Sequence, residues 1–161
     1  MAQISATIPT NQRTQATPTL YNNVVNDITA IIANSWRAFH VILLDNDTSL
    51  SVQDGVGQIS LVIPSWMDDY ELSGVGAAVA VASSSGTPTI QIHNIDNAVD
   101  MLSTRITIDA NELTSFTADA APVIDADNKV VNTGDRIRFD VDVAGTGTKG
   151  LVVMLQFTAG A

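Results

Sequence analysis

Apolar and polar residues alternate along most of the chain after residue 36, in short runs that Gly, Pro, Asp and Asn interrupt. In residues 135–143, DRIRFDVDV, the side chains of Ile137, Phe139 and Val141 fall on one face and charged side chains on the other. This alternation is typical of a strand whose sheet has one buried and one wet face. Similar runs predict strands at residues 37–44, 57–63, 70–82, 89–95, 104–109 and 151–157. We therefore predict a mainly β protein, an antiparallel β-sandwich of jelly-roll type with about seven or eight short strands.

The first 40 residues have a different pattern. Residues 1–18 are polar and rich in Thr, Gln, Asn and Pro. A segment of this kind buries too little apolar surface to offset the entropy that it loses on ordering, so we expect an extended arm that orders against a partner. We place this N-terminal arm and one short helix in residues 1–40, as an attachment and oligomerisation segment. The β-sandwich is placed in residues 41–161.

An amphipathic helix is predicted from Thr19 to about Phe39. Its apolar stripe has the spacing of one helix face and is too short for a free coiled coil. The helix therefore packs either on its own domain, or around a symmetry axis or on another protein. The candidate partner-binding residues of this segment are Tyr21, Val24, Ile28 and Ile31 of the stripe, with the basic residues Arg13 and Arg37.

Gly145, Gly147 and Gly150 have the spacing of a dinucleotide-binding loop. That fingerprint requires a helix directly after the loop and an acidic residue about 20 residues further on. Here a β-branched, apolar run follows the glycines, and it carries no helix signal. We therefore predict a glycine-rich hairpin loop at this position and not a phosphate site.

The other polar clusters have the composition of turns and strand surfaces. His40 and His93 stand in separate predicted strands, and the sequence shows no partners for a metal site around them. Residues 45–49 and 125–128 could offer oxygens to calcium, but they lack the Gly and Glu of an EF-hand loop, so turns are the simpler interpretation. The acidic pair at 68–69 could suggest glycosidase carboxylates, but aspartates at a strand entrance form an ordinary acidic loop far more often. We therefore expect that the protein is not an enzyme and that it binds no cofactor and no metal.

Composition and charge narrow the class of partner. The 161 residues include no Cys, which excludes disulfides and a thiol nucleophile. The formal net charge is −10, of which residues 1–42 contribute +1 and the remaining residues −11. An acidic surface repels phosphate backbones, so we expect no nucleic-acid partner. The longest apolar stretch, residues 74–82, is far shorter than the roughly 20 residues that span a bilayer, so we expect a soluble protein with no membrane partner.

Trp66 is the aromatic residue that the pattern leaves outside the predicted core. It lies in the loop PSWMDD, residues 64–69. There it serves either as a lid over one end of the sandwich or as an exposed anchor for a partner or a sugar. We include it among the candidate partner-binding residues and expect most of the other aromatic residues in the core.

Two stretches of the chain resemble a domain of tailed-phage virion proteins. They are residues 86–112, GTPTIQIHNIDNAVDMLSTRITIDANE, and residues 121–157, APVIDADNKVVNTGDRIRFDVDVAGTGTKGLVVMLQF. The likeness lies in the order of DMLST, TID before an acidic residue, V-x-TGD, and KGL followed by alternating apolar residues. Counted from about Tyr70 to Phe157, the likeness covers a little over half of the chain. The resemblance implies a β-sandwich attached to a phage capsid or tail, usually as a trimer, whose partners are other virion proteins and sometimes a glycan.

We therefore expect a non-enzymatic virion structural protein, a capsid decoration (cement) protein that binds the capsid surface and stabilises it. Its expected partners are the major capsid protein or other virion proteins, and it is expected to form a homotrimer. Residues 1–40 would hold neighbouring capsid subunits or the trimer axis. The alternative is a tail-tip or fibre module that binds a host surface glycan through Trp66 and the neighbouring loops.

Overall fold

The structure, a computed structural model, describes residues 22–27, 36–58 and 60–160 and consists mainly of antiparallel strands. Residues 22–27 form a short helix, α1. Short 3-10 turns occur at Val56–Gln58, Ser65–Met67 and Ser115–Thr117. The described strands are β1 (Trp36–Ser49), β2 (Ser60–Val62), β3 (Tyr70–Ala78), β4 (Thr89–Asn94), β5 (Val99–Asp100), β6 (Leu102–Thr104), β7 (Ile106–Thr107), β8 (Val123–Ile124), β9 (Val130–Val131), β10 (Arg136–Val143) and β11 (Lys149–Ala159).

Most strands belong to two sheets, whose strand order is that of a jelly roll. Sheet A has the order β1-β11-β3-β9, and sheet B has the order β2-β10-β4-β5 with β7 also paired to β4. The first strand thus neighbours the last in sheet A, and the second neighbours the second-last in sheet B. The chain winds between two antiparallel sheets in the manner of two Greek keys. The predicted antiparallel β-sandwich of jelly-roll type is confirmed.

One hydrophobic core lies between the sheets, because the long strands alternate as the sequence predicts. β11 is one of the two central strands of sheet A, and β10 contributes the matching face of sheet B. The rings of Phe39 and Phe157 meet edge to face, with their centroids 6.0 Å apart. The core residues of the two strands are Leu151, Val153, Leu155 and Phe157 of β11 and Ile137, Phe139 and Val141 of β10.

The glycine-rich loop at residues 144–148 is not the predicted hairpin. β10 lies in sheet B and β11 in sheet A, so the loop carries the chain from one sheet to the other. The Thr146 amide donates a 3.0 Å hydrogen bond to the Ser83 hydroxyl, and a Cβ on Gly145 would collide with that hydroxyl. Gly145 also has a φ of 70°, in the left-handed region that favours glycine. The glycines therefore serve a close crossing of two loops, and a strand follows them.

Two local predictions at the start of the sandwich are wrong. Residues 45–47, predicted to form a turn, lie inside β1, which continues to Ser49. The predicted helix cannot extend to Phe39, because β1 begins at Trp36 and Phe39 pairs with Leu155 of β11. Aromatic and β-branched residues dominate this stretch, and they favour a strand when a partner strand is present. Of the predicted helix, the structure describes residues 22–27 as helical, and Thr19 lies outside the described residues.

The chain divides into two compact units, residues 1–32 and 33–161. β1 starts before the boundary placed at residue 40, so Arg37 belongs to the sandwich unit. No helix in the described part of the chain is long and apolar enough to cross a membrane.

Candidate functional site

The outward side of sheet A is apolar over most of its width. Residues that pair across neighbouring strands share a face, so the register determines which side chains point away from the core. Trp36 is 60% exposed and Ile42 is 63% exposed. We call this surface the outer face of sheet A; it consists of Trp36, Ala38, His40 and Ile42 of β1, Val152, Met154 and Gln156 of β11, Gly74, Gly76 and Ala78 of β3, and the ring of Phe116, which lies over Gly76.

A groove of about 300 Å³ runs along this face where β3 lacks side chains. Phe116, Met154, Leu155 and Val75 are among the apolar residues that line it, and His40 is the one titratable residue in its described lining. A Cβ on Gly76 would lie 3.0 Å from two ring carbons of Phe116, and a Cβ on Gly74 would lie 3.3 Å from the Cβ of Gln156. The glycines therefore form the floor of the groove. Because they have no side chains, Phe116 and Gln156 can lie close to the backbone of β3 and line it.

Phe116 is 70% exposed although phenylalanine is usually buried. Its 3-10 turn, Ser115–Thr117, is fastened to β3 by a buried hydrogen bond of 2.9 Å, which the Ala77 amide donates to the Ser115 hydroxyl. A second bond of 2.6 Å runs from the Thr117 hydroxyl to the Glu112 carboxylate. The exposed ring is thus held from below, as an interface anchor requires. Most aromatic residues described outside the 64–69 loop lie in or against the core, as expected, and Phe116 and Trp36 are the exceptions.

The outward side of sheet B is charged, and its charges are paired. Arg138 makes two hydrogen bonds to Asp140, of 2.7 and 2.8 Å. The side chain and amide of Arg136 donate to Asp96, which holds the pKa of Asp96 below its ordinary value and raises the pKa of Arg136. The bond to Asp140 likewise raises the pKa of Arg138. The ion pairs of this side are Arg136–Asp96, Arg138–Asp140 and Arg105–Asp142, and His93 is hydrogen-bonded to Asp100.

Arg37 and Trp66, two of the predicted partner-binding residues, lie next to each other. The Cζ atom of Arg37 is 5.8 Å from the ring centroid of Trp66 and 6.0 Å from that of Tyr70, within the range of cation–π contacts. Asp68 fixes the Trp66 loop by accepting hydrogen bonds of 2.7 and 2.8 Å from the amide and hydroxyl of Thr133. These bonds, the amide bond most of all, lower the pKa of Asp68. Trp66 remains 56% exposed, so a flat ligand such as a sugar has access to its ring.

The remaining predicted partner-binding residues belong to the N-terminal unit. Val24 lies in α1 and is 48% exposed, whereas Arg13, Tyr21, Ile28 and Ile31 lie outside the described residues. Their role in binding stays a prediction.

Sequence reasoning missed Trp36, Ile42 and Phe116 as interaction residues. The sequence carries one signal for the groove, because the small residues of the run at 70–82 favour close approach by another layer. Phe116 makes that approach at Gly76. The exposure of Phe116 itself has no signal in the alternation pattern, since it depends on how a 3-10 turn is seated on β3.

The clusters weighed for chemistry form hydrogen bonds within the fold. The Asp125 carboxylate accepts a 2.9 Å bond from the Asp127 amide, as in the predicted turn. His93 pairs with Asp100 at 2.8 Å, and His40 lies on the outer face of sheet A. Among the residues that the structure describes, no group of three or more His, Asp or Glu side chains is placed to hold a metal ion.

The surfaces that distinguish this protein are therefore the outer face of sheet A, with its groove, and the pair Arg37 and Trp66. Each is assembled from residues far apart in the sequence. No protein-family model, no curated protein and no solved structure matches the chain.

Proposed function

We propose that this chain is a non-enzymatic structural protein of a tailed-phage virion, a decoration (cement) protein that binds the capsid surface and stabilises it. The observation that carries the proposal is the outer face of sheet A, where Trp36, Ile42 and Phe116 are more than half exposed. Soluble proteins rarely expose large contiguous apolar patches, and those that do generally use them to bind a partner. The partner that we propose is the major capsid protein, which would place an apolar segment in the groove.

The fold and the charge distribution support the proposal. Jelly-roll sandwiches occur in viral capsid proteins and in lectins, so this architecture suits a displayed module, although the fold alone assigns no function. Residues beyond 42 sum to −11, a charge that keeps crowded copies soluble. The resemblance of residues 86–112 and 121–157 to phage virion domains points in the same direction.

The homotrimer expected from the sequence belongs to the same proposal. Tyr21, Val24, Ile28 and Ile31 would form its threefold contact, and the 48% exposure of Val24 in α1 leaves that side chain accessible. Arg13 lies in the arm, the segment with the least acidic charge. We propose that the arm grips the neighbouring capsid subunits.

Cosedimentation with capsids that lack the protein tests the attachment. The full chain is mixed with such capsids, beside the variants Phe116→Asp and Val62→Asp. Both positions are exposed, at 70% and 56%, but Phe116 lines the groove of sheet A and Val62 lies on β2 of sheet B. We expect the unchanged chain and Val62→Asp to sediment with the particles and Phe116→Asp to stay in solution. Equal sedimentation of the two variants would contradict docking on sheet A.

The alternative function, a tail-tip or fibre module that binds a host glycan, rests on Trp66. Its exposed ring beside Arg37 offers a stacking surface with a cationic group. A glycan array with the variants Trp66→Ala and Trp36→Ala separates this surface from the other exposed Trp. Binding lost in the first variant and kept in the second supports the glycan function, whereas no binding across host polysaccharides argues against it.

A further inference from the structure

We propose that β1 is also a contact between two copies of this chain, which pair antiparallel along residues 36–42 and join two copies of sheet A into one continuous sheet. This inference goes beyond capsid attachment and does not depend on it. It uses other residues than the proposed threefold contact of the N-terminal segment.

β1 is the long edge of the described sandwich. The other edge strands are short: β2 has three residues, and β5 and β9 have two each, whereas β1 has 14. Short edges, Pro and Lys are among the features by which proteins avoid edge-to-edge pairing. Residues 36–42, WRAFHVI, contain neither Pro nor Lys. In the part of the chain that the structure describes, this stretch pairs with β11 alone, and no described strand pairs with its other edge.

Two core-facing residues of β1 remain partly exposed at this edge. Phe39 pairs with Leu155 and Val41 pairs with Val153. The two β11 residues are 1% and 0% exposed, since β11 has a strand on each side. Phe39 and Val41 have a neighbouring strand on one side and stay half-buried. A further strand along β1 would complete their burial, which is the favourable term in such an association.

The open part of β1 ends after Ile42. The register with β11 shifts between Ile42 and Leu44. Next to that bulge, Gly57 lies so close to the carbonyl oxygen of Leu43 that a Cβ on it would collide with that oxygen. The open segment is therefore residues 36–42, and its midpoint is Phe39.

Antiparallel pairing centred on Phe39 is self-complementary, as a twofold contact requires. It places Trp36 opposite Ile42 of the second copy, and Ile42 opposite the second Trp36, on the outer face of sheet A. An aromatic residue opposite a β-branched one is a favourable cross-strand pair. The carboxylates of Asp45 and Asp47 fall outside the paired segment, so two chains of charge −10 meet without facing acidic groups. The two grooves then lie on one continuous surface.

Disulfide trapping tests this register directly, because the chain contains no Cys. Trp36→Cys and Ile42→Cys are prepared as separate full-length variants and oxidised alone and as a mixture. In the proposed register, positions 36 and 42 face each other at about 5 Å between Cα atoms, which suits a disulfide. Identical positions are about 20 Å apart along the strands, which does not. We expect a covalent dimer in the mixture and none in either variant alone.

The outcomes decide between this contact and unspecific collisions. Val62→Cys, equally exposed but on sheet B, is the matched control and should give no dimer when mixed with Ile42→Cys. The proposal would be overturned by equal trapping in the control mixture or in either variant alone. It would also be overturned if the mixture of Trp36→Cys and Ile42→Cys gave no covalent dimer. Unchanged thermal unfolding of each variant shows that the fold is intact.

Sedimentation of the full chain across the micromolar range gives a second, independent readout. One paired strand is a small interface, so we expect a weak association step, separate from any trimer formed through residues 21–31, that Ile42→Lys weakens by roughly tenfold or more. Val62→Lys should leave the association unchanged. An unchanged association in Ile42→Lys, or a chain that is monomeric throughout, would sink the proposal.

Discussion

The two sheets of the sandwich bury similar inner faces but present opposite chemistry outward. On sheet B, Arg136 and Arg138 are bonded to neighbouring carboxylates at 2.7–2.8 Å. On sheet A, Trp36, Ile42 and Phe116 extend into solvent around a groove lined by glycine. The fold does not require this difference, because polar residues on the outward side of sheet A would leave the core unchanged.

The difference shows which side of the sandwich gains from a partner. Polar groups that already satisfy one another gain little when another protein covers them, and their desolvation costs free energy. Apolar area gains roughly 25 cal/mol for each Å² removed from water. The outer face of sheet A is therefore the side from which both proposed contacts are built, one through the groove and one through β1.

The largest effect on the free energy of unfolding is expected when a phenylalanine of the core is compared with one on the outer face of sheet A. Phe139 is fully buried in the core, whereas Phe116 is 70% exposed on the outer face of sheet A. Phe139→Ala should lower the free energy of unfolding by about 3–5 kcal/mol, since it leaves a cavity. Phe116→Ala should lower it by less than about 1 kcal/mol. Urea unfolding of both variants measures the two values, and a large loss in Phe116→Ala would show that the outer face is part of the core.

A smaller loss of stability is expected from the paired charges of sheet B. The Asp140 carboxylate is 5% exposed and accepts bonds from the Gly55 amide and from two nitrogens of Arg138. Asp140→Asn replaces one accepting oxygen with a donor and should cost roughly 2 kcal/mol in the free energy of unfolding. Asp54→Asn is the matched control, because Asp54 is 4.0 Å from the same guanidinium and exposed, so it should cost less than about 0.5 kcal/mol. Equal losses would mean that long-range charge, not the bonds to Asp140, stabilises this side.

The alternation pattern predicts the inner faces of the sheets but not their outer faces. Ile137, Phe139 and Val141 were predicted on the buried side, and the structure places them there. Burial follows from alternation alone, because any sandwich must fill the space between its sheets. The pattern also predicts that Val152 and Met154 are covered, and they remain half-buried on an open face. Whether an apolar outward residue is covered depends on other elements, which alternation does not specify.

Only part of the candidate site could be predicted, because the position of one element relative to another is not written in the local sequence. Arg37 and Trp66 were selected separately from the sequence, and the structure brings them together. Nothing in their local sequence shows this proximity, because it depends on how β1 and the 64–69 loop are placed in the sandwich. The misassigned hairpin has a similar cause. Adjacent strands joined by a short glycine loop can pair with each other or lie in opposite sheets, and the loop sequence favours neither.

A small effect on stability but a large one on binding is expected from filling the groove. Gly76→Val adds a β-branched side chain that favours a strand, and its nearest neighbour is the exposed ring of Phe116, which can move. The free energy of unfolding should change by less than about 1 kcal/mol. Cosedimentation with capsids should fall because the partner segment loses its space. The double variant Gly76→Val, Phe116→Ala tests why binding falls, because removing the ring reopens space in the groove. If the double variant still fails to bind, the ring of Phe116 is itself needed for binding.

The smallest effect is expected in the loss of stability at acid pH. It compares Asp96, which is paired with Arg136 on sheet B, with an exposed carboxylate that has no such pair. The bonds from Arg136 lower the pKa of Asp96 in the folded state, so they stabilise the fold above the ordinary pKa of an aspartate. This stabilisation is lost as the pH falls through the lowered folded-state pKa. Asp96→Asn should therefore reduce stability at neutral pH and flatten its decline in acid, measured as urea midpoints from about pH 6 to about pH 3. Asp119→Asn removes the same charge from an exposed carboxylate for which the described residues show no hydrogen bond, and it should leave the slope as it is. If both variants flatten the decline alike, net charge and not the Arg136 pair governs the acid response, and the paired charges of sheet B are then mainly a matter of solubility.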